Sequence, residues 1–332
     1  GQTIYFPHSY DSRGRIYPLP VGLTPQGSDA VKALLEYADG EVLNRDGAEW
    51  AFAYLASLYG DDKLHFPNRV QRGIELINAD YKDADEPYQF LSHQLELKKI
   101  VEDPSVEFKG RVHLDACNSG SQFTSALAGD LAGCLATNVI PTIGEDGICE
   151  RQDAYLLVSQ KSIELCKVVL EEDLTNEDRE VYELLLNLLK ENGRKICKTP
   201  VMVSNYGGTA GGRADMLYDM FRELGIERRF ITQQNAIKFA KIIGDSITGV
   251  LNARKLTTII KKVYSNEVAP MKMRSAISPN VVHSYDAELL RRTALRMKEE
   301  GIENSDWIHD SFGCLPNQVG DMLRITKEVF VE

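Results

Sequence analysis

The sequence predicts an α+β protein dominated by helices, with a small sheet. Three observations carry this. Apolar residues recur at helical spacing over most of the chain. A short alternating segment at 110–115 and a strand–turn–strand pattern over 305–315 give the clearest β signal. Residues 1–28, with Pro7, Pro18, Pro20, Pro25, Gly14, Gly22 and Gly27, read as extended segments and turns. At 332 residues the chain is long for one core, so two or more packed subdomains are expected.

In order, helical periodicity covers 29–39, 47–59, 67–79 and 87–101. The strand at 110–115 follows, ending on Asp115, and then an Ala- and Leu-rich helix over about 119–134. Long helices are predicted at 150–171, 176–192, 210–224, 232–251 and 285–300. Pro200 removes a backbone donor and clashes with the carbonyl of Ile196, so a helix kinks or starts there. The hairpin at 305–315 and an amphipathic helix over about 316–331 complete the chain. There are no internal repeats and no low-complexity tracts.

The formal net charge is -11, which by itself argues against nucleic acid. That objection fails if the basic residues gather in one groove, since net charge says nothing about the local field. Six cysteines without a C-x-x-C pair or zinc-like spacing read as free thiols in a reducing compartment. No apolar run reaches the roughly 18 residues of a membrane span. The start, Gly1 to Pro7, has no signal or transit pattern and reads as the middle of a longer arrangement.

Two aspartates stand out by context. Asp115 ends an apolar strand before the small, polar turn of Ala116, Cys117, Asn118, Ser119 and Gly120. Asp310 sits at the tip of an apolar hairpin. Carboxylates at strand ends of one sheet can converge on a pair of magnesium ions, which prefer hard oxygen ligands. Such a pair stabilises both oxygens of a phosphoryl transfer. Taken singly, either aspartate is equally a helix cap or a turn residue. Arg194 and Lys198, four apart, share one helix face, with Tyr206 two turns on. That face suits a triphosphate with an aromatic ring at its end, or is simply a solvated basic face. Arg13, Gly14 and Arg15 form a loop suited to phosphate or ribose, and also a plain turn.

Together these segments resemble the single-subunit, T-seven-like RNA polymerases of phages and mitochondria. The segment Asp11, Ser12, Arg13, Gly14, Arg15 is similar to that family's D-x-R-G-R element, followed at the family spacing by Pro25–Asp29. Asp115 with Ser119, Gly120, Ser121 and Gln122 resembles its first catalytic motif. Arg194, Lys198, Tyr206 and Gly207 resemble the second, His283, Ser284 and Asp286 the H-S-x-D element, and His309–Gly313 the third motif. Six elements in order, from residue 5 to 313, make chance coincidence untenable.

The resemblance implies a right-hand polymerase fold lacking thumb and N-terminal promoter domain. Palm would be 1–38, 106–132 and 284–332, with a palm insertion at 39–105 and fingers at 133–283. It implies Asp115 and Asp310 as ligands of two Mg2+ ions, and Arg194 and Lys198 as the grip on the incoming triphosphate, with Lys198 as proton donor to pyrophosphate. Tyr206 would discriminate ribose, with His283 close to the same pocket. Arg13 and Arg15 would touch the RNA–template hybrid, and His309 would flank the metals near the RNA 3′ end. The related A-family DNA polymerases are the alternative enzyme. They carry a glutamate where this chain has Gly120, which leaves room for a 2′-hydroxyl, and another where it has Ser311. A non-catalytic, polymerase-like nucleic-acid-binding scaffold is the alternative outside enzymes.

Three departures qualify the resemblance. Nothing precedes the D-x-R-G-R segment, the chain stops soon after the third motif, and the stretch from Asn252 to Ile277 is too short for the family's DNA-reading hairpin. That stretch keeps Lys255, Lys261, Lys262, Lys272 and Arg274, suited to phosphate contact without base reading. The pattern resembles the split, two-subunit RNA polymerase of coliphage N-four. The expected partners are therefore single-stranded or melted template DNA, nascent RNA, nucleoside triphosphates, and a second polypeptide supplying N-terminal domain and thumb. The expected location is the bacterial host cytoplasm, with no membrane association.

Overall fold

The computed structural model describes residues 3–144, 147, 149–206, 208–252, 256 and 270–332, with backbone alone over 270–275. The described residues form a helix-rich α+β protein with short strands. They divide into two compact units: Gly1–Ala116 with Ser284–Glu332, and Cys117–His283. The expected hairpin segment, 252–277, with Lys255, Lys261, Lys262, Lys272 and Arg274, lies almost wholly outside the described side chains, as does Gly207.

The first unit opens with the antiparallel pair β1 (His8–Tyr10) and β2 (Ile16–Pro18). Gly14, at φ 85°, makes the turn between them. Helix α1 (Asp29–Lys32) is much shorter than the predicted 29–39. Beyond it the bonds switch to a tighter i→i−3 pattern at Leu34 and Leu35, and Leu34 is 77% exposed, so its apolar spacing finds no surface to cover. Strand β3 (Glu41–Val42) pairs with β4 (Glu107–Phe108). Between them lie α2 (Arg45–Tyr59), α3 (Phe66–Glu75) and α4 (Pro87–Glu102). Asn44 caps α2 by accepting from the Gly47 N–H at 2.8 Å, and Gly60, at φ 121°, ends it. Ala51, Leu55, Phe90, Leu97 and Phe108 form the buried centre of this helical layer.

Gly73 fixes how closely α3 approaches α2. A Cβ there would lie 1.9 Å from the Phe52 carbonyl oxygen, which belongs to backbone and cannot swing away. Gly73→Ala is therefore expected to lower unfolding free energy by about 1–3 kcal/mol in urea titration, despite alanine's better helix propensity. An unchanged or raised stability would show that the two helices can separate freely.

The second unit begins with α5 (Ser119–Ala128) and α6 (Leu131–Ala136), where a single helix over 119–134 was predicted. Gly129 breaks it by adopting the left-handed region at φ 61°. After β6 (Thr142–Ile143) and β7 (Cys149–Glu150) come α7 (Ala154–Leu170), α8 (Asn176–Asn205), α9 (Ala210–Glu223) and α10 (Gln233–Val250). Their starts are capped by Asp153, Thr175, Thr209 and Thr232. Val158, Leu185, Ile196, Val201, Leu217, Phe239 and Ile243 interlock as the core.

Helix α8 runs as two helical stretches joined by a kink at residue 192, where the predicted helix ends, and Pro200 stands inside the second stretch without breaking it. Its non-helical residue is Asn192, at φ −133° and ψ 23°. Next to it, a Cβ on Gly193 would lie 1.9 Å from the Ser159 hydroxyl, so α8 bends beside a close approach to α7. Helix α11 (Pro270–Glu299) starts well before the predicted residue 285. Strands β8 (Ser305–Ile308) and β9 (Ser311–Cys314) and helix α12 (Val319–Val331) close the first unit. Strand β5 (Val112–Asp115) pairs with β9, and β9 with β8, in an antiparallel sheet of order β5-β9-β8. Val112, Phe312 and Cys314 pack there with Leu290, Met297, Val319, Met322 and Ile325. The six cysteines are free thiols.

Candidate functional site

The sheet of the first unit brings the two singled-out aspartates to one end. Asp115 pairs in register with Ser311, and Ile308 pairs with Ser311 across the hairpin, leaving His309 and Asp310 as a two-residue turn. Asp310 thus immediately precedes the residue opposite Asp115. The Ala116 N–H donates to the Asp310 carbonyl at 3.1 Å, fastening the two strand ends together. Asp115 is exposed and Asp310 half-buried. His309 takes the left-handed region at φ 56°, uncommon for a non-glycine residue and typical of the first position of a tight hairpin turn. Its ring stands edge-on to Tyr17 at 4.9 Å. Burial and then the Arg15 charge push the His309 pKa down, which keeps the imidazole neutral.

Asp286 adds a third carboxylate to this neighbourhood. Its pKa is pushed up to about 6 by burial, opposed by Arg15 and reinforced by the Asp310 charge. Arg15 donates to Asp286 Oδ2 through Nε at 2.9 Å and Nη2 at 2.6 Å. The arginine-rich turn and the H-S-x-D element, read separately in the sequence, are therefore joined by one ion pair. Arg13 is held by Asp11, which accepts from its Nε at 2.8 Å and Nη2 at 2.6 Å. Both arginines proposed for a nucleic-acid hybrid are engaged inside the protein.

Beneath the two carboxylates lies a buried polar network that the sequence did not reveal. Asp306 accepts from Tyr37 Oη at 2.6 Å and from Arg111 Nη1 at 3.2 Å, and lies 2.7 Å from His113 Nε2. His113 Nδ1 lies 3.0 Å from Ser311 Oγ. Burial opposes ionisation of Asp306, but the neighbouring His113 and Arg111 charges and the Tyr37 hydrogen bond outweigh it and hold its pKa well below the usual carboxylate range. Gly313 makes room, since a Cβ there would lie 2.4 Å from both Asp306 Oδ1 and His113 Nε2.

The second unit carries the other constellation. Arg194 and Lys198 follow the α8 kink and occupy one helix face. Lys198 is exposed. Arg194 Nε donates to Asp153 Oδ2 at 2.6 Å, and its guanidinium lies 5.4 Å from the Tyr155 ring centroid. Asp153 also caps α7, so the N-terminus of that helix anchors the arginine. Tyr206 caps the C-terminus of α8, and its ring meets that of His283 at 5.3 Å. Gly120 lies in the first turn of α5. The Asn205 side chain borders it: a Cβ there would lie 3.3–3.6 Å from atoms of that side chain.

The donor chemistry of the first unit fits magnesium. Asp115, from a strand end, and Asp310, from the adjoining hairpin turn, supply hard carboxylate oxygens. No cluster of three or more His, Cys, Asp or Glu side chains forms a closed metal cage among the described residues. A two-carboxylate site leaves coordination positions for water and phosphate, as Mg2+ requires in phosphoryl transfer. No helix among the described residues is long and apolar enough to cross a membrane.

A family model described as DNA-dependent RNA polymerase matches residues 41–257 and 250–332, two stretches that meet at 250–257. A mitochondrial DNA-directed RNA polymerase of Nicotiana sylvestris is 27% identical over 392 positions, covering 99% of this chain and 38% of the relative. The corresponding enzyme 1 of Arabidopsis thaliana is 26% identical, covering 100% of this chain and 40% of its own length. The DNA-directed RNA polymerase of Enterobacteria phage T3 is 25% identical, with 99% of this chain and 48% of the phage protein aligned. The chain thus spans less than half the length of these relatives.

Proposed function

The chain belongs to the DNA-dependent RNA polymerase family, and from that premise we propose that it carries the catalytic centre of a DNA-directed RNA polymerase. The observation that carries the reading is the placement of Asp115, at the end of β5, and Asp310, in the turn that enters the strand paired with it, at one end of the sheet. Palm is 1–38, 106–132 and 284–332, with an insertion at 39–105, and fingers are 133–283.

In the proposed reaction the RNA 3′-hydroxyl attacks the α-phosphorus of a ribonucleoside triphosphate. The new 3′,5′ bond forms as the bond to the β-phosphate breaks, releasing pyrophosphate. Asp115 and Asp310 would hold two Mg2+ ions, which supply Lewis-acid stabilisation of the attacking and leaving oxygens. Lys198 and Arg194 bind the triphosphate as cations, Arg194 exchanging or sharing its Asp153 partner. Lys198 gives a proton to the departing pyrophosphate. Tyr206 and His283 border the sugar. Arg13 and Arg15 shape the turn that meets the hybrid.

Template DNA, nascent RNA and nucleoside triphosphates are the ligands of this reading. A second polypeptide is the proposed partner, as in a heterodimeric phage enzyme acting in the host cytoplasm; the phage T3 relative supports a phage setting. The meeting of the two matched stretches at 250–257 supports a shortened family insertion there. The test is extension of an RNA primer on single-stranded DNA with Mg2+, using the chain and whatever co-purifies with it. Tyr206→Phe is expected to relax ribose choice while leaving the rate with ribonucleotides within about tenfold. Unchanged ribose preference in that variant sinks the role given to Tyr206, and equal use of deoxynucleotides by the wild type favours a DNA polymerase.

A further inference from the structure

Asn118, Ser121 and Asn205 form a polar clasp in the second unit, between residues 84 and 87 positions apart. Ser121 Oγ lies 2.8 Å from Asn205 Nδ2 and 3.1 Å from Asn205 Oδ1. Asn205 Nδ2 also donates to Asn118 Oδ1 at 3.3 Å, and the Ser121 N–H donates to that same oxygen at 3.2 Å. Asn205 is 7% exposed and Ser121 1%, so water cannot replace these partners. The clasp therefore ties the first turn of α5 to the last turn of α8 in one arrangement.

Its position makes it more than a helix tie. Asn205 is the last residue of α8 and immediately precedes Tyr206. The same side chain lies against Gly120, near enough that any Cβ at 120 would press on it. One side chain thus links Tyr206, which the proposed function places at the nucleotide sugar, with Gly120, where the family resemblance leaves room for a 2′-hydroxyl. Arg194 and Lys198 lie about three and two turns earlier on α8, and Arg194 is held by Asp153.

We propose that Asn205 is a positioning residue for sugar selection: held by Asn118 and Ser121, it fixes Tyr206 relative to the Gly120 face and so sets the preference for ribonucleotides over deoxyribonucleotides. The inference rests on the polymerase reading above. Removing the amide leaves the buried Ser121 hydroxyl to find a new partner, leaves Asn118 Oδ1 with the Ser121 N–H as its remaining donor in the clasp, and opens space over Gly120. Backbone helicity at 205 survives an alanine. The triphosphate grip stays, whereas the sugar loses a defined wall.

Asn205→Ala, assayed in primer extension with the chain and any polypeptide that co-purifies, is expected to lower the ATP-over-dATP ratio of kcat/KM by about tenfold, with kcat for ATP within about threefold of wild type. The gain should fall on dATP KM. Ser121→Ala should shift the ratio in the same direction, and the double variant should go no further than Asn205→Ala alone, as one linked unit requires. A folded Asn205→Ala protein with wild-type selectivity overturns the inference; should that variant fail to fold, unchanged selectivity in Ser121→Ala does the same. Failure of the underlying reading looks different: wild type that adds no ribonucleotide, or adds deoxynucleotides equally well, overturns both together.

Discussion

Asp310→Asn is expected to reduce RNA primer extension by at least ~1000-fold while the protein keeps its fold. The substitution preserves size and removes one formal charge. The turn it occupies is set by backbone: His309 supplies the left-handed φ, and the Ala116 N–H bonds the carbonyl of residue 310, not its side chain. Asparagine suits such turns, so thermal unfolding should move by no more than about 2 °C. In the proposed metal centre the change falls on the ligand set, because a neutral amide oxygen would hold Mg2+ poorly beside a single remaining carboxylate, Asp115. A second readout is independent of activity. The Asp310 charge helps hold the Asp286 pKa up at about 6, so its removal should lower that value, measurable by carboxyl titration in NMR. The sign follows for stability. An acid whose folded pKa is raised costs stability when ionised, and that cost is relieved as pH falls through about 6. Asp310→Asn should therefore lose part of this cost above pH ~6. Wild-type extension by the variant would remove Asp310 from the metal site.

Features carried by local periodicity were legible in the sequence. The strand ending at Asp115 and the hairpin bearing Asp310 lie where alternation put them, and the hairpin turn fell on His309 and Asp310. Helices α7, α9 and α10 begin after Asp153, Thr209 and Thr232, whose side chains take the first backbone donors. Misreadings came where tertiary contact overrode a local rule. Pro200 is tolerated inside α8, and the bend sits instead at Asn192, beside the tight α7 contact of Gly193. Features built from distant residues were invisible. Nothing local announces that Asn205 lies against Gly120, that Arg15 pairs with Asp286, or that Tyr37, Arg111 and His113 meet on Asp306. Pairings across so many residues leave no periodic trace, and a polar residue at a core position reads as surface until its partner is seen.

Asp306→Ala is expected to be the most destabilising single change in the first unit, lowering unfolding free energy by about 3–5 kcal/mol. The side chain is 15% exposed and the Arg111 side chain 10%, so truncation leaves a guanidinium with little water and no counter-ion. Tyr37 and His113 lose an acceptor in the same step. Asp306→Asn keeps the shape and loses the charge, so it should cost less, about 1–3 kcal/mol. Because the folded-state pKa of Asp306 lies below its ordinary 3.8, its contribution is complete above that pH and is lost as pH falls toward the folded value. Urea titrations should accordingly show a constant gap between wild type and Asp306→Asn from pH 7 to 5, narrowing only below about pH 4. The effect should reach the carboxylates, since His113 lies against Ser311, which follows Asp310 and pairs with Asp115. Nucleotide addition should fall in both variants even at temperatures where they stay folded, with the loss in kcat and not in nucleotide KM. A gap below about 1 kcal/mol would mean that Arg111 finds another anion or water, and that the sheet beneath Asp115 and Asp310 is held by its apolar face alone.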